Sequence, residues 1–213
     1  MTMSISSIRK DYQLKSLSES DVEVHPIRQF GKWWDEALTS KIEEVNAMTL
    51  STVTHEGRPS ARIVLLKGFD ENGFVFFTNY DSEKGKQLLE HPFASLVFFW
   101  KELERQVRIE GNCEKVTDKE SDEYFDSRPQ GSQLGAWASP QSRIIEGRQV
   151  LEENIKQLEL RFSNGKIPRP PHWGGYRVIP DKVEFWQGRS SRLHDRIVYQ
   201  KSLDGWGISR IAP

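Results

Sequence analysis

The chain has 213 residues, and its 30 basic side chains nearly balance 31 acidic ones, for a net charge of −1. This length predicts one domain with a sizeable core, and the balanced charge argues against a protein that attracts nucleic acid. Cys113 is the single cysteine, which excludes an intramolecular disulfide and a zinc site built on paired cysteines. We expect a cytoplasmic protein, because we find neither an apolar secretory segment nor the roughly 18 apolar residues of a membrane span.

Residues 1–25 are polar and rich in serine, which predicts a mobile N-terminal arm ahead of a single domain at 26–213. Apolar residues then recur at helical spacing from 26 to about 46 and predict the first helix. Strand patterns follow, with a hairpin turn at 70–73 and a short helix at 82–91 among them. These strands are predicted at 47–54, 60–69, 74–79, 94–103 and 105–116.

Two helices are predicted at 118–128 and 144–162, with an irregular stretch at 129–143 between them. A loop rich in proline and glycine at 163–175 leads into the C-terminal strands. These are predicted at 176–180, 182–188, 194–200 and 206–211. Many short strands with few long helices predict a mainly β fold, a β-barrel with added helices, and the βαβ alternation of a doubly wound sheet is absent.

The sequence patterns of several common catalytic sites are missing. We find no glycine-rich nucleotide-binding motif, zinc-protease motif or serine-hydrolase motif. The histidines are scattered without metal-ligand spacing, at His25, His55, His91, His172 and His194. The sequence therefore predicts no metal site.

The most informative segment is 192–196. On a strand, alternate side chains share a face, which would place Arg192, His194 and Arg196 together. Two guanidiniums beside an imidazole disfavour its protonation and attract anions, and the nearby Trp186 offers an aromatic plane to a flat ligand. A solvated strand face is the alternative interpretation.

A second group of cations flanks residues 63–66. These four residues are all apolar, which predicts a strand covered on both faces. Arg62 and Lys67 point to opposite faces of a regular strand, because they are an odd number of positions apart along the chain. One ligand could meet both only at a strand end, a bulge or a subunit boundary. Surface charges that cap the strand are the alternative.

A third group lies near predicted helix ends. Tyr124 and Arg128 are four residues apart and share a helix face, and Ser132 follows where it could cap the next segment. They would suit a phosphate, or they form a structural cap. Lys84 lies near another helix start, where an anion is favoured. Three separate groups of positively charged residues in a near-neutral chain predict ligands with more than one phosphate group.

Taken together, these segments resemble the family of pyridoxine/pyridoxamine 5'-phosphate oxidases. The resemblance follows the family's order and covers nearly all of the chain beyond the N-terminal arm. The resembling segments are RIVLLK (62–67), FFTNYDSEKG (76–85), LERQVRIEG (103–111), YFDSRPQGSQLGAWAS (124–139), QSR (141–143), WGGYRV (173–178), EFWQG (184–188), RLHDR (192–196) and the closing residues 206–213. The resemblance implies a split β-barrel homodimer with FMN at the subunit interface, where cations from different faces and chains can serve one site.

The resemblance also implies roles for individual residues. FMN would be bound by Arg62, Ile63, Val64, Leu65, Leu66, Lys67, Phe77, Thr78, Lys84, Gln106, Gln141, Ser142, Trp186 and Arg196. The substrate would be bound by Arg9, Tyr12, Lys67, Tyr124, Arg128, Ser132, Arg192, Leu193 and His194. Arg192 and His194 would be catalytic and face the reacting carbon, and Arg9 and Tyr12 would close over the substrate from the arm.

One position departs from the family. Where the family commonly has an arginine that helps to hold the FMN phosphate, this chain has Glu83. A carboxylate cannot donate a hydrogen bond to a phosphate and would repel it. Glu83 therefore either points into solvent or weakens FMN binding.

The implied reaction is FMN-dependent oxidation of pyridoxamine 5'-phosphate and pyridoxine 5'-phosphate to pyridoxal 5'-phosphate, with O2 reduced to H2O2. Three alternatives remain. The first is a split-barrel flavin reductase with another substrate, and the second is a non-catalytic carrier of flavin or pyridoxal phosphate. The third, a nucleic-acid-binding barrel, is disfavoured by the net charge.

Overall fold

The computed structural model describes residues 4–8, 10–163 and 165–213. The described residues form the α-helices α1 (Pro26–Thr39), α2 (Glu83–Glu90), α3 (Asp118–Ser127), α4 (Gln130–Ala138) and α5 (Arg148–Arg161). They form the strands β1 (Ala47–Val53), β2 (Pro59–Leu65), β3 (Gly68–Asp70), β4 (Gly73–Asn79), β5 (Phe93–Trp100), β6 (Arg105–Lys115), β7 (Trp173–Gln187), β8 (Asp195–Ser202) and β9 (Gly205–Arg210). None of these helices is long and apolar enough to cross a membrane.

The strands belong to one sheet, in which β2, β1, β5, β6, β7, β4 and β3 are neighbours in that order. β8 pairs with β7, and β9 pairs with β8. The pairs β3–β4, β4–β7, β7–β8 and β8–β9 are antiparallel. The prediction of a mainly β fold with added helices is confirmed.

The chain divides into two compact units. The first unit comprises Met1–Leu50, Ser95–Gly111 and Pro180–Pro213, and the second comprises Ser51–Ala94 and Asn112–Ile179. Each unit contains its own group of candidate site residues. The mobility of residues 1–25 and the single domain at 26–213 stay predictions.

Aromatic side chains form much of the core of the first unit. Phe30 and Trp33 on α1 are both buried. The ring centroid of Phe30 lies 5.2 Å from that of Phe98, and the ring centroid of Trp33 lies 5.2 Å from that of Phe185. These pairs bury large apolar areas and attach α1 to the strands.

Helix α1 begins at Pro26 as predicted, because proline suits the first helical turn. It ends at Thr39, earlier than the predicted end near 46. Lys41 and Glu44 have φ angles of 53° and 47°, in the left-handed region, and an α-helix cannot continue through them.

The core of the second unit includes Phe125, Leu134, Ile167 and Trp173. Leu134 belongs to α4, so the prediction that 129–143 is irregular is wrong. Leu134 and Ala138 are four residues apart and are the buried residues of this helix, which fixes its orientation.

The helical pattern of α4 is weak in the sequence because Gly131 and Gly135 have low helix propensity. Pro129 occupies the N-cap position of α4, and Ser132 lies inside the helix. The prediction that Ser132 caps this segment is therefore wrong. α5 begins at Arg148 instead of residue 144.

The strand predicted at 60–69 is two strands, β2 and β3, because the ladder is interrupted after Leu65. Residues along β2 alternate between exposed and partly buried. Ile63 is 65% exposed, so the prediction that 63–66 is covered on both faces is wrong. This alternation is typical of a strand with one open face.

The strands predicted at 176–180 and 182–188 form the single strand β7. Residues 173–178 pair with β4, whereas 182–187 pair with β8. Pro180 lies between these two ladders, where its missing N–H removes no hydrogen bond from either. One long strand can therefore contain a proline, although the sequence pattern predicts that the strand ends there.

The hairpin predicted at 70–73 is present and joins β3 to β4, with Asp70 paired to Gly73. Gly73 has a φ of 135°, and a Cβ at this position would lie 2.1 Å from the carbonyl oxygen of Val178. Glycine is required here, because it alone combines this φ with no side chain.

Candidate active site

Two cations lie close together in the second unit, among neutral oxygen atoms. The Arg62 guanidinium, on β2, donates to Thr52 Oγ1 at 2.5 Å. Lys84 Nζ, in the first turn of α2, donates to Thr78 Oγ1 at 3.0 Å and to Gln141 Oε1 at 2.9 Å. The structure therefore brings together four of the residues predicted to bind FMN, namely Arg62, Thr78, Lys84 and Gln141.

The electrostatics of this pair favour an anion. Burial, followed by repulsion from Arg62, lowers the pKa of Lys84 to about 8. Desolvation also lowers the pKa of Arg62, although its guanidinium stays charged. A bound phosphate would place negative charge beside both cations and would accept hydrogen bonds from both side chains.

Glu83 is the first residue of α2 and follows the N-cap Ser82, whose side chain accepts from the Gly85 N–H. Glu83 is exposed, which is the first of the two alternatives drawn from the sequence. A carboxylate at this position is favoured by the helix dipole. Its charge still acts on Arg62, whose pKa it raises against the larger effect of desolvation.

Stacked aromatic rings form a second place for an anion in the same unit. The ring of Tyr124 lies 4.0 Å from that of Phe77 and 6.1 Å from that of Trp173, measured between centroids. Arg128 Cζ lies 4.5 Å from the Trp173 centroid, and Lys67 Nζ lies 6.0 Å from the Tyr124 centroid. Arg128 and Lys67, both predicted to bind substrate, therefore lie beside these rings.

Arg128 has a buried donor that no side chain or backbone group of the described residues accepts. Its Nη1 atom is buried and has no hydrogen-bond partner in the part of the chain that the structure describes. Desolvation lowers the pKa of this guanidinium. An unpaired buried donor of this kind costs about 1–3 kcal/mol, which an acceptor from a ligand would remove.

The other residues of the second unit that were predicted to bind FMN or substrate are not among the contacts described above. Ser132 is exposed on α4, and no hydrogen bond joins it to Arg128 among the described residues. Ser142 follows Gln141 with a φ of 68°, in the left-handed region. Of the run at 63–66, Leu66 is buried beyond the end of β2.

In the first unit, three rings meet near the end of β7. The ring centroid of His194 lies 4.6 Å from that of Trp186 and 6.1 Å from that of Tyr12. Tyr12 meets Trp186 edge-on at 5.8 Å. The structure thus brings together a predicted FMN residue, a predicted arm residue and a predicted catalytic residue.

The prediction that Arg192, His194 and Arg196 share one strand face is wrong. β8 begins only at Asp195, and Arg192 ends a short 3-10 turn with a φ of 62°. Alternation along a strand therefore does not apply to the first part of the segment.

The expected effect on His194 is nevertheless present. Desolvation, and then the positive charge of Arg192, lower the pKa of His194, while Asp195 opposes them. His194 Nδ1 accepts from the backbone N–H of Arg189 at 3.1 Å. The neutral imidazole therefore carries its proton on Nε2, where it can donate to a ligand.

The Arg196 guanidinium is paired with the Glu184 carboxylate, so it does not act as an unpaired cation beside the His194 imidazole. Its Nε and Nη2 atoms donate to the two oxygens of Glu184, both at 2.9 Å, and Nη1 donates to the Ala212 carbonyl at 2.8 Å. The bond to Glu184 raises the pKa of Arg196. Gln106, also predicted to bind FMN, is half-buried on β6.

A cavity of about 460 Å³ adjoins the ring cluster of the first unit. Its lining includes Tyr12, Arg192 and His194, together with Lys10 and Arg189, which the sequence did not single out. The signal available for Arg189 was its position directly after the segment 184–188.

The two remaining predicted substrate residues have different outcomes. Leu193, between Arg192 and His194, is 69% exposed. Arg9 lies outside the described residues, so its predicted closure over the substrate stays a prediction.

Comparison with known proteins gives consistent matches along the chain. The family model described as pyridoxamine 5'-phosphate oxidase matches residues 34–162, and that of the pyridoxine 5'-phosphate oxidase C-terminal dimerisation region matches 173–213. The pyridoxine/pyridoxamine 5'-phosphate oxidase of Nostoc punctiforme is 58% identical over 214 residues, covering 100% of both chains. That of Burkholderia multivorans is 57% identical and covers 98% of this chain and 99% of its own.

Solved structures give the class of fold. The crystal structure of PhzG from Burkholderia lata 383, in complex with tetrahydrophenazine-1-carboxylic acid, has a TM-score of 0.88 at 30% identity, covering 94% of this chain and 99% of that one. A pyridoxamine 5'-phosphate oxidase-related, FMN binding protein from Nostoc punctiforme has a TM-score of 0.69 at 19% identity, covering 90% and 100%, and shares the fold. The fold is that of the split-barrel oxidase-like proteins, as predicted.

Within this class, the chain belongs to the pyridoxamine 5'-phosphate oxidase family. The resemblance found in the sequence and the predicted oxidoreductase class are confirmed. The C-terminal match is to a region that the family uses for dimerisation.

Proposed function

We propose that this protein is an FMN-dependent oxidase that converts pyridoxamine 5'-phosphate and pyridoxine 5'-phosphate to pyridoxal 5'-phosphate while reducing O2 to H2O2. The observation that carries the proposal is the buried Nη1 of Arg128, beside the rings of Tyr124 and Trp173, for which the described residues provide no acceptor. An oxygen of the substrate's 5'-phosphate would accept from it. The names of the relatives at 57–58% identity support the same substrates.

The residues around Lys84 fit the phosphate of FMN. Lys84 and Arg62 are desolvated cations that donate to neutral oxygens, and Thr78 and Gln141 lie within hydrogen-bond distance of Lys84. When bound, the flavin supplies the two-electron redox chemistry, and the chain supplies binding, orientation and electrostatics. The other predicted FMN residues, including Trp186, Gln106 and Arg196, belong to the same proposal.

Some of the proposed substrate residues would bind the phosphate, and others would act on the reacting ring. Lys67, Tyr124 and Arg128 would bind the phosphate away from the reacting carbon, so that their binding energy positions the ring. Arg192 would place a positive charge against the ring and stabilise electron-rich states. His194, neutral and protonated on Nε2, would orient the reacting group through a hydrogen bond.

A homodimer with FMN at its interface is part of the proposal. The match of 173–213 to a dimerisation region supports it. Large apolar side chains are also exposed on strands, among them Ile63 (65%) and Phe99 (54%), and a partner subunit would bury such surface. The cytoplasmic location stays a prediction from the sequence.

The visible spectrum of the purified protein tests the function directly. Flavin absorption bands should bleach when pyridoxine 5'-phosphate is added without oxygen, and they should return with air as H2O2 appears. A yellow protein that does not bleach would leave a flavin protein with another substrate. A colourless protein that does not take up added FMN would reject the proposal.

FMN affinity is expected to fall as pH rises above about 8. The pKa of Lys84 is about 8 before FMN binds, so the ammonium loses its proton above this pH, while the phosphate stays doubly charged above its own second pKa of about 6. Lys84→Gln should weaken FMN binding about 10-fold at pH 7 and abolish the alkaline dependence. Fluorescence titrations of FMN between about pH 6.5 and 9.5 measure both effects.

The matched control is Lys86→Gln, an exposed lysine of the same helix, which should keep the wild-type dependence. An alkaline fall in affinity that persists unchanged in Lys84→Gln would place the phosphate elsewhere.

A further inference from the structure

Glu104, between β5 and β6, has two features that are unfavourable unless other contacts compensate. Its side chain is 4% exposed, and an ionised carboxylate is rarely buried without partners. Its φ is 54°, in the left-handed region that residues other than glycine seldom adopt. The groups that Glu104 contacts therefore indicate what it does.

The Glu104 side chain binds the N-terminal segment. Its Oε2 atom accepts from the backbone N–H groups of Gln13 at 2.9 Å and Leu14 at 3.1 Å. Its Oε1 atom lies 3.4 Å from Lys10 Nζ. The Glu104 carbonyl oxygen accepts from the N–H of Gly188, just after β7, at 2.7 Å. One residue thus connects the N-terminal segment to the end of β7.

Tyr12 lies directly before the residues that Glu104 binds. Its ring packs on Gly188 so closely that a Cβ there would lie 2.8 Å from Tyr12 Cγ. The same ring contacts Trp186 and His194 and lines the cavity of about 460 Å³. The position of Tyr12 therefore sets one wall of the candidate substrate cavity.

A second anchor holds the segment further along. Asp195 Oδ2 accepts from the Leu17 N–H at 3.0 Å. Arg210 donates to the Leu17 carbonyl and to Glu19 Oε2, both at 2.9 Å. This anchor is several residues from Tyr12, whereas Glu104 binds the residues next to it. Glu104 is therefore the group placed to control Tyr12.

We propose that Glu104 is a positioning residue that holds residues 13 and 14 and so keeps Tyr12 against His194 over the substrate cavity. The proposal rests on the proposed function only in taking this cavity as the substrate's. With the segment already ordered, the substrate gains the contact with Tyr12 without the entropy cost of ordering it. Loss of the anchor should weaken substrate binding and leave FMN binding unchanged.

Two substitutions in the full-length, FMN-loaded protein test this proposal. Glu104→Gly removes the carboxylate and suits the left-handed backbone. Glu104→Gln keeps a neutral acceptor. KM for pyridoxine 5'-phosphate should rise about 10-fold in the first variant and less in the second, with kcat within about twofold and FMN affinity unchanged. The exposed neighbour Glu102 supplies the control Glu102→Ala, which should match the wild type.

A double-mutant cycle separates positioning from a general structural role. In a Tyr12→Ala background, Glu104→Gly should add little to KM, because both changes remove the same contact. Hydrogen exchange of the amides at 10–14 should accelerate in Glu104→Gly. Additive effects on KM, or unchanged exchange at 10–14, would overturn the proposal.

The readouts also distinguish the two proposals. If the wild type does not oxidise pyridoxine 5'-phosphate, the proposed function fails, and the exchange rates alone decide whether Glu104 holds the segment. If Glu104→Gly does not fold, Glu104→Gln decides, and a wild-type KM in that variant would overturn the positioning role.

Discussion

Turnover is expected to fall by about 100-fold or more in Arg192→Ala and in His194→Ala, while the purified variants keep their FMN. Arg192 is exposed beside the cavity and lowers the pKa of His194, so its charge already acts on that imidazole. Neither residue belongs to the cluster around Lys84. Rapid mixing with pyridoxine 5'-phosphate under anaerobic conditions measures flavin reduction directly, and flavin absorbance measures cofactor content.

The control is Lys201→Ala, an exposed cation on β8, which should reduce flavin at the wild-type rate. Wild-type rates in both Arg192→Ala and His194→Ala would remove these residues from the chemistry. A loss of FMN in either variant would instead assign that residue to cofactor binding.

The pH dependence of His194 has a definite sign. Its pKa is lowered by desolvation and by Arg192, so the neutral imidazole persists to lower pH than in an ordinary histidine. An activity that needs this neutral form should fall only below the ordinary value of about 6.5. Asp195→Asn removes a negative charge that opposes the shift and should move the acid limb of the activity–pH profile to lower pH.

The sequence predicted those elements whose signals are local. The first turn of α1, the short helix α2 and the hairpin at 70–73 each depend on neighbouring residues and were found. Helix α4 was missed because Gly131 and Gly135 obscure its pattern, and its burial depends on Phe125 and Trp173 elsewhere in the chain. The sequence predicted two strands in place of β7, because it cannot show that Pro180 lies between the residues that pair with β4 and those that pair with β8.

Site residues were predictable by chemical type, whereas their partners were not. The motif 192–196 identified Arg192 and His194, but the turn that ends at Arg192 made strand alternation the wrong rule. Arg196 faces Glu184 because β7 pairs with β8 in a particular register, and no local pattern reveals that register. Glu104 was missed because its contacts are with residues about ninety positions away, 91 for Gln13.

Arg128→Ala is expected to raise KM for pyridoxine 5'-phosphate by about 10- to 100-fold with a smaller effect on kcat. The variant removes a partly buried cation whose buried Nη1 atom has no other acceptor in the described chain. Its charge-assisted bond to phosphate forms equally in the ground state and the transition state, so its loss weakens binding more than chemistry. Steady-state kinetics over a wide substrate range separate the two constants.

Substrates with and without phosphate make this prediction specific. Arg128→Ala should change the kinetics of pyridoxine itself far less than those of pyridoxine 5'-phosphate, because only the second carries the group that Arg128 binds. Arg161→Ala is the matched control, since its Cζ also lies over a tryptophan ring, 5.5 Å from the Trp137 centroid. An equal loss for both substrates in Arg128→Ala would show that this arginine supports the aromatic core, and the phosphate would then have to bind elsewhere.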